Sequence, residues 1–231
     1  MKLSLILPVY NGCEELRKNF MPIYDAIGRN RDSEIIIAED GSTDGTKAAA
    51  KELAKKHRRV KVISRPKRSG KGKAIRDAVA IAKGSVIGYM DIDVAVPLEY
   101  INKAVQKVEM GNKIVIGSRY QAGASVRRSM YRLLESVAYN FLIRLFLGSK
   151  VRDHQCGFKF FSAAYLKKAV RDVEDDHFFF DAELLVRAQR EGLAPYEMPV
   201  EWHEGANTKV KAGDTLYFLT AIFKLRKELK D

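Results

Sequence analysis

The chain has 231 residues, 46% of them apolar and 10% aromatic, which is enough to fill the core of one large α/β domain and argues against disorder. Lysine and arginine number 41 against 29 aspartates and glutamates, so the net charge of +12 indicates an acidic partner: nucleic acid, an anionic membrane surface or a phosphorylated substrate. Two distant cysteines, Cys13 and Cys156, argue against a disulfide framework or a zinc site and favour a reducing compartment.

Short apolar runs alternate with helical patterns through the first half of the chain. Strands are predicted at Leu3–Val9, 34–38, Val60–Ser64, Val86–Met90 and 114–117. Helices are predicted between them at 14–27, 43–57, 73–83 and 97–110. This alternation predicts an α/β fold with a doubly wound, mostly parallel sheet, in which ligands bind beyond the carboxyl ends of the strands. The apolar start is too short for a signal peptide, and no uncharged run of 18 residues predicts a membrane span.

Two segments of the second half have the pattern of amphipathic helices. From 128 to 148 a polar residue recurs at every fourth position among apolar ones, which fits either a core helix or a helix lying in a membrane interface. From 214 to 231, Phe218, Ile222 and Leu225 share one face among lysines and arginines. We expect the two helices to share the binding of a membrane surface, with this apolar face at the interface.

The sharpest local signal is the pair Asp91 and Asp93, which follows the predicted strand Val86–Met90. Alternation along an extended chain would put both carboxylates on the same side. Two neighbouring carboxylates repel each other unless a cation lies between them, and Mg²⁺ or Mn²⁺ bridging a diphosphate is the natural occupant. The position at a central strand end therefore favours a metal site over a chance Asp-x-Asp.

Two loops of the first half could bind a nucleotide. Residues 39–46 follow the second strand, and Asp40 is placed to accept an N–H group from a nucleobase, although the same residues suit an ordinary turn and helix cap. Residues 68–73 are basic and include Gly70 and Lys71 before a helix, where small residues let the backbone approach phosphate. This loop lacks the spacing of a Walker A motif and by itself also fits a solvated basic loop.

Two segments of the second half combine acidic and apolar residues. Residues 153–159 carry Asp153 and an imidazole, but no third soft ligand stands nearby to complete a metal site. Residues 178–185 carry Asp181 in an apolar run, which equally fits the first turn of a buried helix.

Taken together, these segments resemble a known family along nearly the whole chain. Five of them occur in the order seen in glycosyltransferase family 2: residues 8–11, 39–46, 70–72, 91–93 and 117–120. Three further segments, 153–159, 180–185 and 200–204 with a later lysine, resemble the dolichyl-phosphate glucose synthase branch of that family, and GDP-mannose enzymes share most of these motifs. The resemblance implies a single GT-A domain over 1–231, with a nucleotide-sugar half at 1–120 and an acceptor half at 121–231.

The resemblance implies inverting transfer of a hexose to a dolichyl or polyprenyl phosphate, with UDP-glucose as the favoured donor, GDP-mannose as the alternative and Mg²⁺ or Mn²⁺ as cofactor. The residues assigned to the nucleotide sugar are Pro8, Tyr10, Asn11, Glu14, Asp40, Gly70, Lys71 and Asp91. The metal is assigned to Asp91 and Asp93, and the acceptor phosphate to Arg119, Arg128, His203 and Lys209. The catalytic candidates are Asp93, Asp153, Arg119 and Asp181.

The chemistry of the acceptor decides whether one of these catalytic candidates has to act as a general base. A phosphate monoester has a second pKa of about 6 and arrives largely ionised, so we expect no strong general base. Asp153 would orient or polarise, with Asp181 as the alternative. Because the lipid phosphate stays among the headgroups, the enzyme is expected to be peripheral on the cytoplasmic face of a membrane.

Two competing functions fit the sequence less well. A processive polysaccharide synthase would carry a late Gln-x-x-Arg-Trp motif, whereas the one tryptophan here, Trp202, follows a glutamate. A nucleic-acid-binding module would draw on the basic segments 55–59 and 65–73, but aromatic residues are not interleaved with these charges and no helix-turn-helix or RNP signature occurs. We therefore expect no nucleic-acid partner.

Overall fold

The structure, a computed structural model, describes residues 2–28, 32–203 and 215–229. The first half forms β1 (Leu3–Val9), α1 (Cys13–Gly28), β2 (Ser33–Glu39), α2 (Thr46–Lys56), β3 (Val60–Ser64), α3 (Lys71–Ile81), β4 (Val86–Met90), α4 (Glu99–Glu109) and β5 (Ile114–Ser118). The second half forms β6 (Ser125–Arg127), α5 (Met130–Leu147), β7 (Phe158–Ser162), α6 (Ala163–Ala169), α7 (Phe180–Arg190), β8 (Tyr196–Pro199), β9 (Glu201–His203) and α8 (Thr215–Glu228). The elements predicted in the first half are all present, with ends shifted by a few residues.

A seven-stranded sheet with the strand order β3-β2-β1-β4-β7-β5-β8 organises the described residues. Its strands are parallel except β7, which runs antiparallel to both β4 and β5. The strands β1 and β2 are buried almost throughout, as expected for parallel strands covered by helices on both faces. The prediction of an α/β fold with a mostly parallel sheet is confirmed.

The two faces of the sheet are covered by different helices. Along β1, Leu5 and Leu7 face the layer that contains α1, α2 and α4, while Ile6 faces the layer of α3, α6 and α7. Successive side chains of a strand point to opposite faces, so this single strand contributes to both cores.

A third apolar cluster joins α5 and α8 to α7, and it corrects the expectation for the C-terminal helix. Phe218, Ile222 and Leu225 are buried in this cluster against α5 and α7, and Ile222 is fully inaccessible. The face predicted to enter a membrane is therefore a core face. An amphipathic stripe has the same period whether it meets protein or lipid, so the sequence could not tell the two apart.

The outward face of α5 has the opposite character, because it exposes a continuous row of large apolar side chains. These side chains are between 46% and 71% exposed: Met130, Tyr131, Leu134, Val137, Phe141 and Leu145. Leu216 and Phe223 of α8 are also exposed. No helix within the described ranges is long and apolar enough to cross a membrane.

Candidate active site

A cleft of about 700 Å³ opens at the carboxyl edge of the sheet, where β1 and β4 lie side by side. The strands β2 and β3 extend the sheet on one side of β1, whereas β4 pairs with the other side of β1. Ligands of such folds bind at this reversal of strand order. The cleft extends from the ends of β1, β2 and β4 to the facing sides of α5 and α8. It therefore joins a polar end at the sheet to a partly apolar end between two helices.

Asp91 and Asp93 line this cleft, but a turn rather than the strand positions them. The strand β4 ends at Met90, residues 92–93 form a turn, and Val94 directly after it has a φ of +55°. This conformation is uncommon for a β-branched residue, and such strain is concentrated at functional sites. The alternation argument was therefore wrong in its geometry, although both carboxylates do reach the cleft.

A glycine fixes the position of Asp91. The backbone N–H of Asp91 donates to the carbonyl of Gly157 at 3.0 Å, and a Cβ built on Gly157 would lie 1.8 Å from Asp91 Oδ2. Any larger residue at position 157 would displace the carboxylate. This explains why a glycine from the second half of the chain belongs to the site.

The electrostatics of the pair favour a cation. Burial, and then the neighbouring Asp91, raise the pKa of Asp93 to about 6. Lys71 Nζ lies 2.8 Å from Asp91 Oδ1 and 3.6 Å from Asp181 Oδ2. Burial lowers the pKa of Lys71, but Asp91 and Asp181 outweigh this effect and hold it above its ordinary value. The floor of the cleft is thus a compact cluster of opposite charges.

A fully buried lysine supports this cluster from below. Lys159 of β7 is inaccessible to solvent, and its Nζ donates to Asp181 Oδ1 at 2.7 Å and to the carbonyl of Cys156 at 2.6 Å. The Tyr89 hydroxyl donates to the same oxygen of Asp181 at 2.7 Å. Burial raises the pKa of Asp181, but the neighbouring Lys159 and Lys71 lower it by a larger amount. The pKa of Asp181 therefore lies below its ordinary value. Asp181 therefore remains a carboxylate held in place rather than a base poised to take a proton.

Asp40 lines the cleft at the carboxyl end of β2 and shapes it there. Its Oδ1 accepts the N–H of Ser69 and its Oδ2 accepts the N–H of Gly70, both at 2.8 Å. Gly70 has a φ of +111°, and a Cβ there would lie 2.1 Å from the carbonyl oxygen of Asp176. Asp40 thus fixes the basic loop at the start of α3, and Gly70 shapes that loop without lining the cleft.

The other residues assigned to the nucleotide sugar divide into two groups. Pro8 and Tyr10 line the cleft, and the guanidinium of Arg68 lies 4.3 Å from the centroid of the Tyr10 ring. Asn11 instead accepts the N–H of Thr43 through its Oδ1 at 2.8 Å and joins the two neighbouring loops.

Glu14 is exposed on α1 outside the cleft, and Glu15 lines the cleft instead. Consecutive helical positions are about 100° apart around the axis, so a one-residue step separates the cleft side from the solvent side. The structure therefore does not bring Glu14 to the cleft with the other residues assigned to the nucleotide sugar.

At the carboxyl end of β5, Arg119 is bound by Asp153 in a buried ion pair. Arg119 Nε donates to Asp153 Oδ2 and Nη2 to Oδ1, each at 2.7 Å, and the Arg119 backbone N–H donates to Oδ2 at 3.0 Å. Burial raises the pKa of Asp153, but Arg119 more than compensates and holds it below its ordinary value. Arg119 lines the cleft, whereas Asp153 is fully buried. The structure thus places Asp153 behind Arg119 and outside the cleft lining, a position that suits the orienting role predicted for it.

The remaining acceptor candidates lie in different places. Arg128 lines the cleft, and its Nη1 donates to Ser136 Oγ at 2.9 Å. His203 is exposed on β9 and lies outside the cleft lining, because the short strand turns its side chain to solvent. Lys209 lies outside the described residues. Arg132 of α5 also lines the cleft and was not assigned, although it was one of the regularly spaced polar residues of this helix.

The residues present fit a metal that takes part of its coordination from a ligand. Within the described part of the chain, no group of three or more histidine, cysteine, aspartate or glutamate side chains could hold a metal ion. Asp91 and Asp93 supply two carboxylates, and Mg²⁺ commonly takes one or two carboxylates and completes its shell with substrate phosphates and water. The donor set thus suits a metal bound together with a diphosphate.

The fold and the cleft define a GT-A type of protein, in which a carboxylate pair and a basic loop meet at the reversal of strand order. The family model for glycosyl transferase family 2 matches residues 4–170. The chain belongs to this family.

Three named relatives show how the chain is placed within the family. It is 38% identical over 91% of its length to glycosyltransferase AglD of Haloferax volcanii, of which it spans only 34%. It is 30% identical over 96% of its length to dolichyl-phosphate beta-glucosyltransferase ALG5A of Trichomonas vaginalis, of which it covers 72%. It is 38% identical over 66% of its length to a dolichol-phosphate mannosyltransferase of Pyrococcus furiosus, of which it covers 43%.

Solved structures share the fold at low sequence identity. Glucosyl-3-phosphoglycerate synthase from Mycobacterium tuberculosis, in complex with Mn²⁺, UDP and phosphoglyceric acid, superposes with a TM-score of 0.73 at 20% identity, covering 97% of this chain and 78% of that one. Mannosyltransferase PcManGT from Pyrobaculum calidifontis, in complex with GDP-Man and Mn²⁺, gives a TM-score of 0.69 at 18% identity, covering 100% of this chain and 64% of that one.

Proposed function

We propose that this chain transfers a hexose from a nucleotide diphosphate sugar to a dolichyl or polyprenyl phosphate. The observation that carries the proposal is the shape of one continuous cleft, which joins the Asp91 and Asp93 carboxylates to arginines and then to the apolar space between α5 and α8. A sugar diphosphate suits the first part, a phosphate the second and an isoprenoid chain the third. The names of the glucosyltransferase and mannosyltransferase relatives support the same acceptor.

In this proposal the donor binds at the first half of the chain, residues 1–120, with support from β7 and Asp181 of the second half. Asp91 and Asp93 would hold Mg²⁺ or Mn²⁺, and such an ion offsets charge on a diphosphate leaving group. Lys71 lies beside this carboxylate pair and can bind the same phosphates. UDP-glucose is the favoured donor because a relative that matches 96% of this chain is named a glucosyltransferase, and GDP-mannose is the alternative.

The acceptor would bind in the second half, residues 121–231, together with Arg119. Arg119 and Arg128 are the cleft-lining cations that would bind the acceptor phosphate, since arginine pairs with phosphate oxygens in a bidentate manner. An ionised phosphate oxygen attacks the sugar C1, the bond from C1 to the diphosphate breaks, and its electron pair leaves with the nucleotide. No proton has to be removed, which agrees with the buried, ion-paired state of Asp153 and Asp181.

A donor panel tests this proposal. The purified protein is incubated with polyprenyl phosphate in detergent, Mg²⁺ or Mn²⁺, and one nucleotide sugar at a time, and the organic phase is examined by mass spectrometry. A lipid-phosphate-linked hexose should form with UDP-glucose, or with GDP-mannose instead. Failure to form any lipid-linked sugar with every donor and metal would contradict the proposal.

We also propose that the enzyme is peripheral on a membrane and binds it through the outward face of α5. Tyr131 and Ala138 line the cleft, and Leu134 and Phe141 are exposed beside them on the same helix. The apolar row is thus continuous with the end of the cleft that would hold the isoprenoid chain. The protein has a net charge of +12, which favours an anionic surface such as the cytoplasmic leaflet.

Replacing Phe141 and Leu145 together by serine is expected to weaken co-flotation with anionic liposomes by at least about tenfold. Both side chains are about 60% exposed (59% and 61%), so their removal takes apolar area from the membrane contact and little from the core. Met110→Ser provides a matched control, because Met110 is 73% exposed at the end of α4 in the opposite helix layer. A double variant that floats like the wild type, or wild-type protein that stays in solution at low salt, would contradict this binding face.

A further inference from the structure

The Lys71 ammonium lies where a cation would approach the carboxylate pair. Its Nζ is 2.8 Å from Asp91 Oδ1 and 3.6 Å from Asp181 Oδ2, and Asp93 also interacts with its charge. The side chain is only 17% exposed, so it lies in the floor of the cleft rather than in solvent. The positive charge of Lys71 therefore already neutralises Asp91, a carboxylate that the metal ion would need as a ligand.

Of the two ammonium groups in this cluster, Lys71 is the one that can change partners. Lys159 is completely buried and bound to both Asp181 and the carbonyl of Cys156. Lys71 lines the cleft at the first position of α3, and its long side chain can reach a ligand there. Asp181 would keep its partner Lys159 if the Lys71 side chain moved away.

The charges of the cluster make metal and lysine competitors. The cluster contains the three carboxylates of Asp91, Asp93 and Asp181 and the two ammonium groups of Lys71 and Lys159. Its net charge is therefore −1 before a metal ion binds. A divalent cation at Asp91 would stand within a few ångströms of Lys71, where like charges repel strongly. A diphosphate changes this balance because it offers Lys71 anionic oxygens and offers the metal additional ligands.

We infer that Lys71 makes metal binding depend on the nucleotide: it holds Asp91 while the cleft is empty and transfers to the diphosphate when the donor binds. This inference rests on the proposed function for the identity of the donor. It predicts that metal and nucleotide each increase the affinity of the other, because coupling between two binding sites is reciprocal. Lys71 is therefore a positioning residue for the metal site as well as a phosphate ligand.

Lys71→Met removes the charge and retains most of the side-chain length. In the absence of nucleotide, the variant is expected to bind Mn²⁺ at least about tenfold more tightly than the wild type, measured by electron paramagnetic resonance of free Mn²⁺. UDP or GDP should tighten Mn²⁺ binding strongly in the wild type and much less in the variant. Transfer should nevertheless be lost, so the variant would gain metal affinity while losing activity.

Lys73→Met is the matched control, because Lys73 pairs with Asp77 at 3.2 Å and should leave Mn²⁺ affinity unchanged. Unchanged or weaker Mn²⁺ binding by Lys71→Met without nucleotide would overturn the inference, and so would the absence of Mn²⁺ binding under every condition. The readout needs no transfer. Coupling of Mn²⁺ to UDP or GDP in a protein that forms no lipid-linked sugar would therefore support the inference while the proposed function failed.

Discussion

Asp93→Asn is expected to lower the rate of transfer by about 10³-fold, which corresponds to about 4 kcal/mol of lost transition-state stabilisation. The substitution removes one of the two carboxylates assigned to the metal. It should not destabilise the fold, because burial and Asp91 raise the pKa of Asp93 to about 6. A carboxyl group with a raised folded-state pKa favours folding when protonated, and this contribution is lost as the pH rises through about 6. At neutral pH the neutral amide therefore relieves repulsion.

The measurements are initial rates at saturating Mn²⁺ and thermal unfolding of the metal-free protein at pH 7. The unfolding temperature should be equal to that of the wild type or higher. Asp91→Asn provides the comparison, and we expect it chiefly to weaken nucleotide binding, because Asp91 is also the partner of Lys71. A near wild-type rate for Asp93→Asn at saturating metal would show that Asp93 is not a metal ligand.

Asp153→Asn is expected to destabilise the fold by about 3–5 kcal/mol, because it leaves the buried guanidinium of Arg119 without its counter-charge. The pKa of Asp153 is held below its ordinary value, so the stabilisation it contributes is present above about pH 4. This contribution is lost as the pH falls through the lower, folded-state pKa. The difference between wild type and variant should therefore be large at pH 7 and shrink in acid. Urea unfolding at several pH values measures this difference.

Glu52→Gln is the control for this experiment. Glu52 pairs with Lys56 and Arg17 at the surface, where solvent screens the charges, so Glu52→Gln should leave the urea midpoint nearly unchanged. Transfer by the folded fraction of Asp153→Asn should fall less than in Asp93→Asn, because Asp153 is buried outside the cleft. An unchanged urea midpoint for Asp153→Asn at pH 7 would contradict the assigned role of this ion pair.

The first half of the fold was predictable because its strands are uninterrupted apolar runs separated by helical patterns. The strand β7 was not, since Lys159 interrupts its apolar run Phe158–Ser162. A lysine is tolerated at this buried position only because Asp181 and a backbone carbonyl pair with it. Asp181 lies on a helix more than 20 residues later in the chain, so no local sequence pattern predicts the strand.

The sequence predicted those residues of the candidate site that directly follow strands. It did not predict the residues from distant parts of the chain that hold the site carboxylates in position. Asp40, Asp91 and Arg119 follow strands that end at one edge, so chain order alone brought them together. Tyr89 and Gly157 act beneath the carboxylates, and the antiparallel strand that brings Gly157 there was not foreseen. The apolar face of α8 was predicted to meet a membrane because period alone cannot distinguish lipid from the α5 and α7 side chains that cover this face.

A lipid phosphate as the acceptor is tested by comparing that phosphate with the same lipid as an alcohol. The protein is incubated with its preferred radiolabelled nucleotide sugar, Mn²⁺, and either polyprenyl phosphate or the corresponding polyprenol, and label is counted in the organic phase. The site contains cleft-lining arginines and carboxylates already engaged in ion pairs, so label should enter the lipid phase with the phosphate and stay at background with the alcohol. Equal labelling of polyprenol, or no labelling of polyprenyl phosphate, would contradict a lipid phosphate acceptor.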